Sequence, residues 1–330
     1  ESNTADNSVN NDRISAAFNV ADGLNPNATA LAVTRVDGVT RAVVTPSSFQ
    51  KMFHGQGLVI NLGADSFDDM VLKNPAAQYV AMGEAGARAA GGARGAATLM
   101  LREALDDARD YARNREAFNG GRRRDYAMSR LDLEALVPVV RRTVPMVVLV
   151  HRASDIRAVL RLASDYDIQL ILAGVQEGHR VADEIASAGV PVLVNAMTNL
   201  PTFEALSASH ANAGLMYEAG VQVVLASFDA NNSRNLRQVA GFATAYGMPR
   251  EAALAAITRV PAEVFGVDDR LGTLEVGKVA DAVIWTGDPF EVTEWAEQVF
   301  IDGRPMSDET RQKALFERYR DLSRLPPWRN

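Results

Sequence analysis

The sequence predicts an α/β fold carried by a parallel sheet, and three observations predict it. Short β-branched runs alternate with amphipathic stretches of helical period, the pattern of βαβ units. A chain of 330 residues, 47% apolar and 23% charged, is long and apolar enough to bury a large core. After Gly266 the pattern changes to short strands separated by turn residues, which adds a small β appendage to the main body.

The predicted strands are Arg41–Thr45, Leu58–Leu62, Gln78–Met82, Val144–Val150, Gln169–Ala173, Pro191–Val194 and Val221–Ala226. Between them, Ser154–Ser164 sets Ile156, Val159, Leu160 and Ala163 on one helical face. Val181–Ala188 does the same with Val181, Ile185 and Ala188, and Gly189 ends that helix. Gly83–Phe118 is longer than an ordinary crossover and reads as an elongated helical excursion, in which Gly-Gly-Ala-Arg-Gly breaks the helix. The appendage comprises strands at Gly272–Leu274, Ala282–Trp285 and Gln298–Ile301, followed by a charged helix over Asp308–Leu322.

A net charge of −7 and a pI near 5.3, with Lys and Arg scattered, disfavour nucleic acid and anionic membrane as partners and suit a small neutral or cationic substrate. The absence of cysteine removes disulfides, thiolate nucleophiles and thiolate-bound metal together. No apolar run approaches the roughly 20 residues that span a bilayer, so no membrane insertion is expected. The chain begins at Glu1 in a polar Asn/Asp/Ser-rich segment without the features of a signal peptide, from which we expect that something upstream was removed or lies on another polypeptide.

The segment Ala252–Arg304, AALAAITRVPAEVFGVDDRLGTLEVGKVADAVIWTGDPF through VFIDGR, resembles the C-terminal signature of the amidohydrolase superfamily, and of its imidazolonepropionase-like enzymes in particular. The likeness continues upstream through Gly23–Asn27, Arg35–Ser47, His54–Gly63, Ala81–Glu84, His151–Ala163 and Ser227–Leu236. The resemblance implies a (β/α)8 TIM barrel whose first strand, with a His-x-His metal pair, precedes Glu1 and is supplied by the precursor or by a companion chain. It further implies a polar N-terminal segment over residues 1–27, barrel strands two to eight within 28–266, a β-sandwich portion at 267–305 and a helix and tail at 306–330.

Such enzymes attack C–N bonds with a metal-held hydroxide at the C-terminal ends of the barrel strands. By resemblance, Asp229 is the catalytic acid/base and a metal ligand; the plainer reading, an Asp that caps the next helix, stands second to it. His151 is the second metal candidate, at a strand end where the neighbouring ligand position holds Leu149. Tyr79 stands where relatives carry a bridging Lys, and cannot be carbamylated. Tyr79, Glu177, His179, His54, Gln56 and Asn232 are candidate substrate contacts, against the plainer readings of helix cap, surface histidine and tight turn; Asn195 and Asn231 are further strand-end polar groups, and His210 is a packing or surface residue on a helix.

The expectation is therefore a hydrolase of amide, cyclic amide or peptide-like C–N bonds, using a divalent metal (Zn, Fe or Mn), oligomeric, and periplasmic or secreted. The alternative is a catalytically inactive amidohydrolase-like subunit without metal that partners an active paralogue. The few histidines, Leu149 and Tyr79 speak for the second reading; Asp229 and His151 speak for the first.

Overall fold

The computed structural model describes residues 6–11 and 13–321; the start of the chain at Glu1 and the tail beyond 321 lie outside the described residues. Seven strands form one sheet in sequence order: β1 (Arg41–Val44), β2 (Phe53–Asn61), β3 (Val71–Ala81), β4 (Met146–Val150), β5 (Leu170–Gly174), β6 (Val192–Val194) and β7 (Val223–Leu225). From β3 to β7 neighbouring strands are parallel, and the sheet curls as part of a barrel.

The parallel run is shorter than expected. β1 pairs with β2 antiparallel, and β2 pairs with β3 antiparallel, so Arg41–Thr45 and Leu58–Leu62 are not barrel strands of the parallel kind. Chain length explains the correction. A parallel neighbour needs a crossover of a dozen or more residues, whereas β1 ends at Val44 and β2 starts at Phe53, and β2 ends at Asn61 and β3 starts at Val71. Counting to eight by adding one strand therefore fails, because only β3–β7 make the parallel arc.

Alternation along these strands sorts their side chains into two cores. One face sends Val80, Met146, Val148, Val150, Leu170, Leu172, Val192, Val194, Val223 and Leu225 against Leu101, Leu105, Leu133, Ile156, Ile185, Met216 and Val239 of the surrounding helices. The other face gathers Ala77, Tyr79, Val147, Ile171, Ala173, Leu193 and Val224 into a separate cluster, filled by Val260 and Phe265.

Two of the expected helices form largely as read, while Val181–Ala188 is corrected: Val181 closes a 3-10 turn from Gly178, the α-helix runs Ala182–Ser187 with Ile185 buried, and Ala188 is exposed because the helix has already ended there. Gly83–Ala89 and Arg94–Asn119 are separated at Gly91 and Gly92, both at positive φ, and Ala153–Asp165 buries Ile156, Val159, Leu162 and Ala163. Gly189, at φ +62°, follows the helix Ala182–Ser187. His210 is corrected: it precedes the helix Asn212–Glu218 and lies against Phe242 and Tyr246, with ring centroids 4.8 and 4.9 Å away.

The C-terminal part is a three-stranded antiparallel sheet of β8 (Ala282–Trp285), β9 (Ala296–Ile301) and β10 (Arg304–Pro305), with order β10-β9-β8. Gly272–Leu274 is not a strand. Val299 and Ile301 share a core with Leu58 and Ile60 of β2, with Leu62 just after it, and with Val20 and Ala21, so the polar N-terminal segment is packed where it meets this sheet. The final helix runs Arg311–Tyr319. Among the described residues no helix is long and apolar enough to cross a membrane.

Candidate functional site at the C-terminal rim

Backbone strain marks one end of the parallel arc. Gly83 after β3, Gly174 and Val175 at the end of β5, and Phe228 after β7 have φ of +62°, +84°, +35° and +52°. Positive φ is costly for a β-branched residue such as Val175 and persists only where surrounding contacts impose it. These positions lie at the carboxyl ends of the strands, the rim where α/β barrels place their chemistry.

His151 directly follows β4 at this rim. A Cβ on Gly174 would lie 2.7 Å from its Nδ1, so only glycine lets the ring settle there, and Nδ1 is buried without a hydrogen-bond partner. Burial lowers the imidazole pKa, partly offset by the negative charge of Glu204, and the ring is held towards its neutral form.

Glu177 is a bracket. It is 5% exposed; Oε2 accepts the N–H of Ala153 at 3.0 Å, opening the helix Ala153–Asp165, and Oε1 accepts the N–H of Ser207 at 3.0 Å. Burial alone would raise its pKa, but these two N–H groups and the nearby Arg180 and Arg152 outweigh it and hold the carboxyl low. The structure thus gives Glu177 a cap-like role and joins it to His151, whose carbonyl accepts the Glu177 N–H at 3.0 Å.

His179 lies in the turn Gly178–Val181, and Asn212, 1% exposed, ties it down: Oδ1 accepts the His179 N–H at 2.8 Å and lies 3.1 Å from its Nδ1, while Nδ2 donates to the Val175 carbonyl. Asp229 is exposed on the loop after β7. Its Oδ1 accepts the N–H groups of Asn231 and Asn232 at 2.7 and 3.1 Å, and Oδ2 accepts Asn232 Nδ2 at 2.8 Å. Those bonds, the Asn232 side chain foremost, lower its pKa. Asn195, at the end of β6, donates to the Ser227 carbonyl at 3.0 Å and couples the two loops.

His54 and Gln56 belong to a strand, not to a turn, and Tyr79 lies on β3, in the strand expected around it. His54 and Gln56 lie in β2, with Gln56 opposite Gln78 and bonded to Asn19 at 3.4 Å. His54 is buried, its Nε2 lacks a partner, and burial lowers its pKa to about 4 despite the backbone contact with Lys51. Tyr79 is buried on the inner face with its hydroxyl unpartnered, and burial raises its pKa.

Sequence reading missed Glu204, which arrives at the rim from the loop after β6. Its Oε1 accepts the Glu84 N–H at 2.8 Å, and a Cβ on Gly83 would lie 2.6 Å from the same oxygen. Beside it, Arg94 bonds Asp155 at 2.8 Å and Glu84 at 3.0 Å. No spacing pattern signals a contact between residues 120 apart in the chain.

The donor set does not by itself fit a metal. Across the sheet, Ala81, Leu149, Ala173, Leu193 and Val224 stand in register, making the last inward row below the rim entirely apolar. Among the described residues no three His, Asp or Glu side chains come together as a metal-holding group. His151 and Asp229 would need further donors.

Comparison with known proteins agrees with the resemblance. The model of the amidohydrolase family matches residues 176–306. An amidohydrolase of Hapsidospora irregularis is 34% identical over 96 residues, 29% of this chain and 10% of that protein. The imidazolonepropionase of Thermoplasma volcanium is 35% identical over 131 residues, 37% of this chain and 32% of that enzyme. This chain therefore spans about a third or less of the length of these curated relatives. Among solved structures, an amidohydrolase from Thermotoga maritima superposes with a TM-score of 0.80 at 27% identity, covering 90% of this chain and 79% of that one. In sequence over residues 176–306 and in fold over nine-tenths of its length, the chain resembles the amidohydrolases.

Proposed function

We propose that this chain is the larger part of a hydrolase of C–N bonds in small amides, cyclic amides or peptide-like compounds, working at the C-terminal rim of β3–β7. The carrying observation is the match to the Thermotoga maritima amidohydrolase over 90% of the chain. In this reading Asp229, ionised at neutral pH, accepts a proton at the rim and returns it to the leaving nitrogen. Glu177 and Asn195 position the loops around it, and neutral His151 faces the same end of the arc.

The rest of the site is proposed to come from outside the described residues. Among these, β1 and β7 are the outer strands of the sheet, and an open parallel edge favours a further strand. A companion segment bearing histidines would also supply the donors that the apolar row below the rim lacks; a divalent metal such as Zn, Fe or Mn would then be held jointly with His151 and Asp229. The same apolar row favours a second reading, a non-hydrolytic amidohydrolase-like subunit.

Asp229→Asn separates the two. Asn keeps an oxygen for the Asn231 and Asn232 N–H groups and removes the carboxylate; where Oδ2 accepted the Asn232 side-chain amide, that amide must turn to present its own oxygen. On a panel of cyclic amides and dipeptides, with metal content measured on the same preparation, the hydrolase reading expects an activity loss of about 100-fold or more at unchanged melting temperature. Absence of hydrolysis in the parent protein would leave the non-hydrolytic reading, whereas full activity in the variant would keep the hydrolase and remove Asp229 from its chemistry.

A further inference from the structure

We infer that Thr34 is a positioning residue for the rim: acting through Ser233, its hydroxyl holds the turn that carries Asp229. This rests on the reading of Asp229 as the proton acceptor, and adds what keeps its carboxylate in place.

Among the described residues, the hydrogen bonds of Asp229, side chain and backbone alike, stay within residues 227–232. Its aim over the strand ends is therefore set by whatever fixes the loop as a whole. At the entry to the loop that is Asn195, which donates to the Ser227 carbonyl at 3.0 Å. At the exit it is Thr34, 199 residues from its partner Ser233 in the chain. The helix Thr29–Val36 buries one residue, and that residue is this threonine, 5% exposed. Asp37, which follows the helix, lies near the guanidinium groups of Arg234 and Arg237, so charge draws the same two segments together.

The direction of the bonds follows from proton counting. A buried hydroxyl needs a partner, and Thr34 Oγ1 lies 3.0 Å from Ser233 Oγ. Ser233 Oγ also donates to the Ala230 carbonyl at 2.9 Å. A serine hydroxyl has one proton, so the proton between the two hydroxyls comes from Thr34. A directed chain thus runs from Thr34 through Ser233 to Ala230. The Ala230 carbonyl shares a planar trans peptide with the Asn231 N–H, which points the opposite way. That N–H is the one given to Asp229 Oδ1 at 2.7 Å. Gripping the carbonyl therefore aims the N–H, and through it the carboxylate.

Thr34→Val, which keeps the shape of the side chain and removes the donor, tests this on the full protein. Hydrogen exchange at the Asn231 and Asn232 amides is expected to quicken about fivefold, the worth of one net hydrogen bond, while exchange in β4 and β5 stays at the parent rate. On an amide that the parent hydrolyses, kcat should fall by a similar factor with KM within about twofold. Thr34→Ser, which restores a donor, should recover both readouts. Adding Thr34→Val to Ser233→Ala should cost no more than Ser233→Ala alone, because both cut the same chain. Unchanged exchange at both asparagines, a rise spread evenly over β4 and β5, no recovery with serine, or additive costs in the double variant would each overturn the proposal. A parent protein without hydrolysis sinks the hydrolase reading, and exchange still decides whether Thr34 holds the turn. Unchanged kcat in Thr34→Val, with hydrolysis in the parent, sinks this proposal alone.

Discussion

The guanidinium of Arg41 on β1 grips both carboxylate oxygens of Asp281, 240 residues later, at 2.6 Å from Nε and 2.8 Å from Nη2. Nη2 also reaches Asp302 at 2.7 Å, whose other oxygen accepts Asn61 Nδ2 at 2.8 Å. The pair sits at 12% and 14% side-chain exposure, so it links the main sheet to β8–β10 in a largely water-free setting. Asp281→Ala strips a largely buried guanidinium of its bidentate partner and leaves Asp302 as its remaining carboxylate, which is expected to cost about 2 kcal/mol in urea unfolding. Arg41→Lys should recover little of the lost contact, because an ammonium cannot span two carboxylate oxygens. A loss near zero for Asp281→Ala would show that the Asp302 bonds and the apolar contacts hold the C-terminal sheet without this pair.

Glu177→Ala orphans the N–H groups of Ala153 and Ser207 together. A cost of about 2 kcal/mol is expected, with faster amide exchange at both positions. Unaltered exchange at Ser207 would contradict the bracket role.

His54 links stability to pH. Its folded pKa of about 4 lies below the ordinary 6.5, so the folded state binds its proton less readily than the unfolded chain. Its contribution is fully present above pH 6.5 and is lost as pH falls towards 4, at about 1.4 kcal/mol per unit. His54→Gln should flatten this arm of the stability curve; an identical acid dependence in the variant would assign the effect elsewhere.

Gly83→Ala places a methyl group 2.6 Å from Glu204 Oε1, at a φ of +62°. The strain is expected to cost about 1–3 kcal/mol and to release the loop after β6, seen as faster protease cleavage between residues 195 and 211. Cleavage at the parent rate would mean that Glu204 does not hold the loop.

What could be read from the residues alone was the set governed by local pattern. β-Branched runs located the strands of the arc, helical periodicity located Ala153–Asp165, and Gly91, Gly92 and Gly189 marked helix breaks, because these depend on near-neighbour sterics and on which side chains face a core. The family resemblance was legible for the same reason: its segment is contiguous and specifies turns and strands. Strand direction was legible in principle too, since the spacings from Val44 to Phe53 and from Asn61 to Val71 are too short for parallel crossovers.

Tertiary structure alone decided the rest. Asp229 and Asn232 were recognisable as polar groups after a strand, but that Asn232 and Asn231 occupy the Asp229 oxygens is a matter of loop geometry. The meeting of Glu204 with Glu84, of Glu177 with Ser207 and of Arg41 with Asp281 depends on how far the sheet curls and where each loop lands. Local sequence sets which face of a strand or helix is buried; it carries no record of which distant backbone N–H or guanidinium will satisfy a carboxylate, because that pairing exists only once the chain has closed on itself.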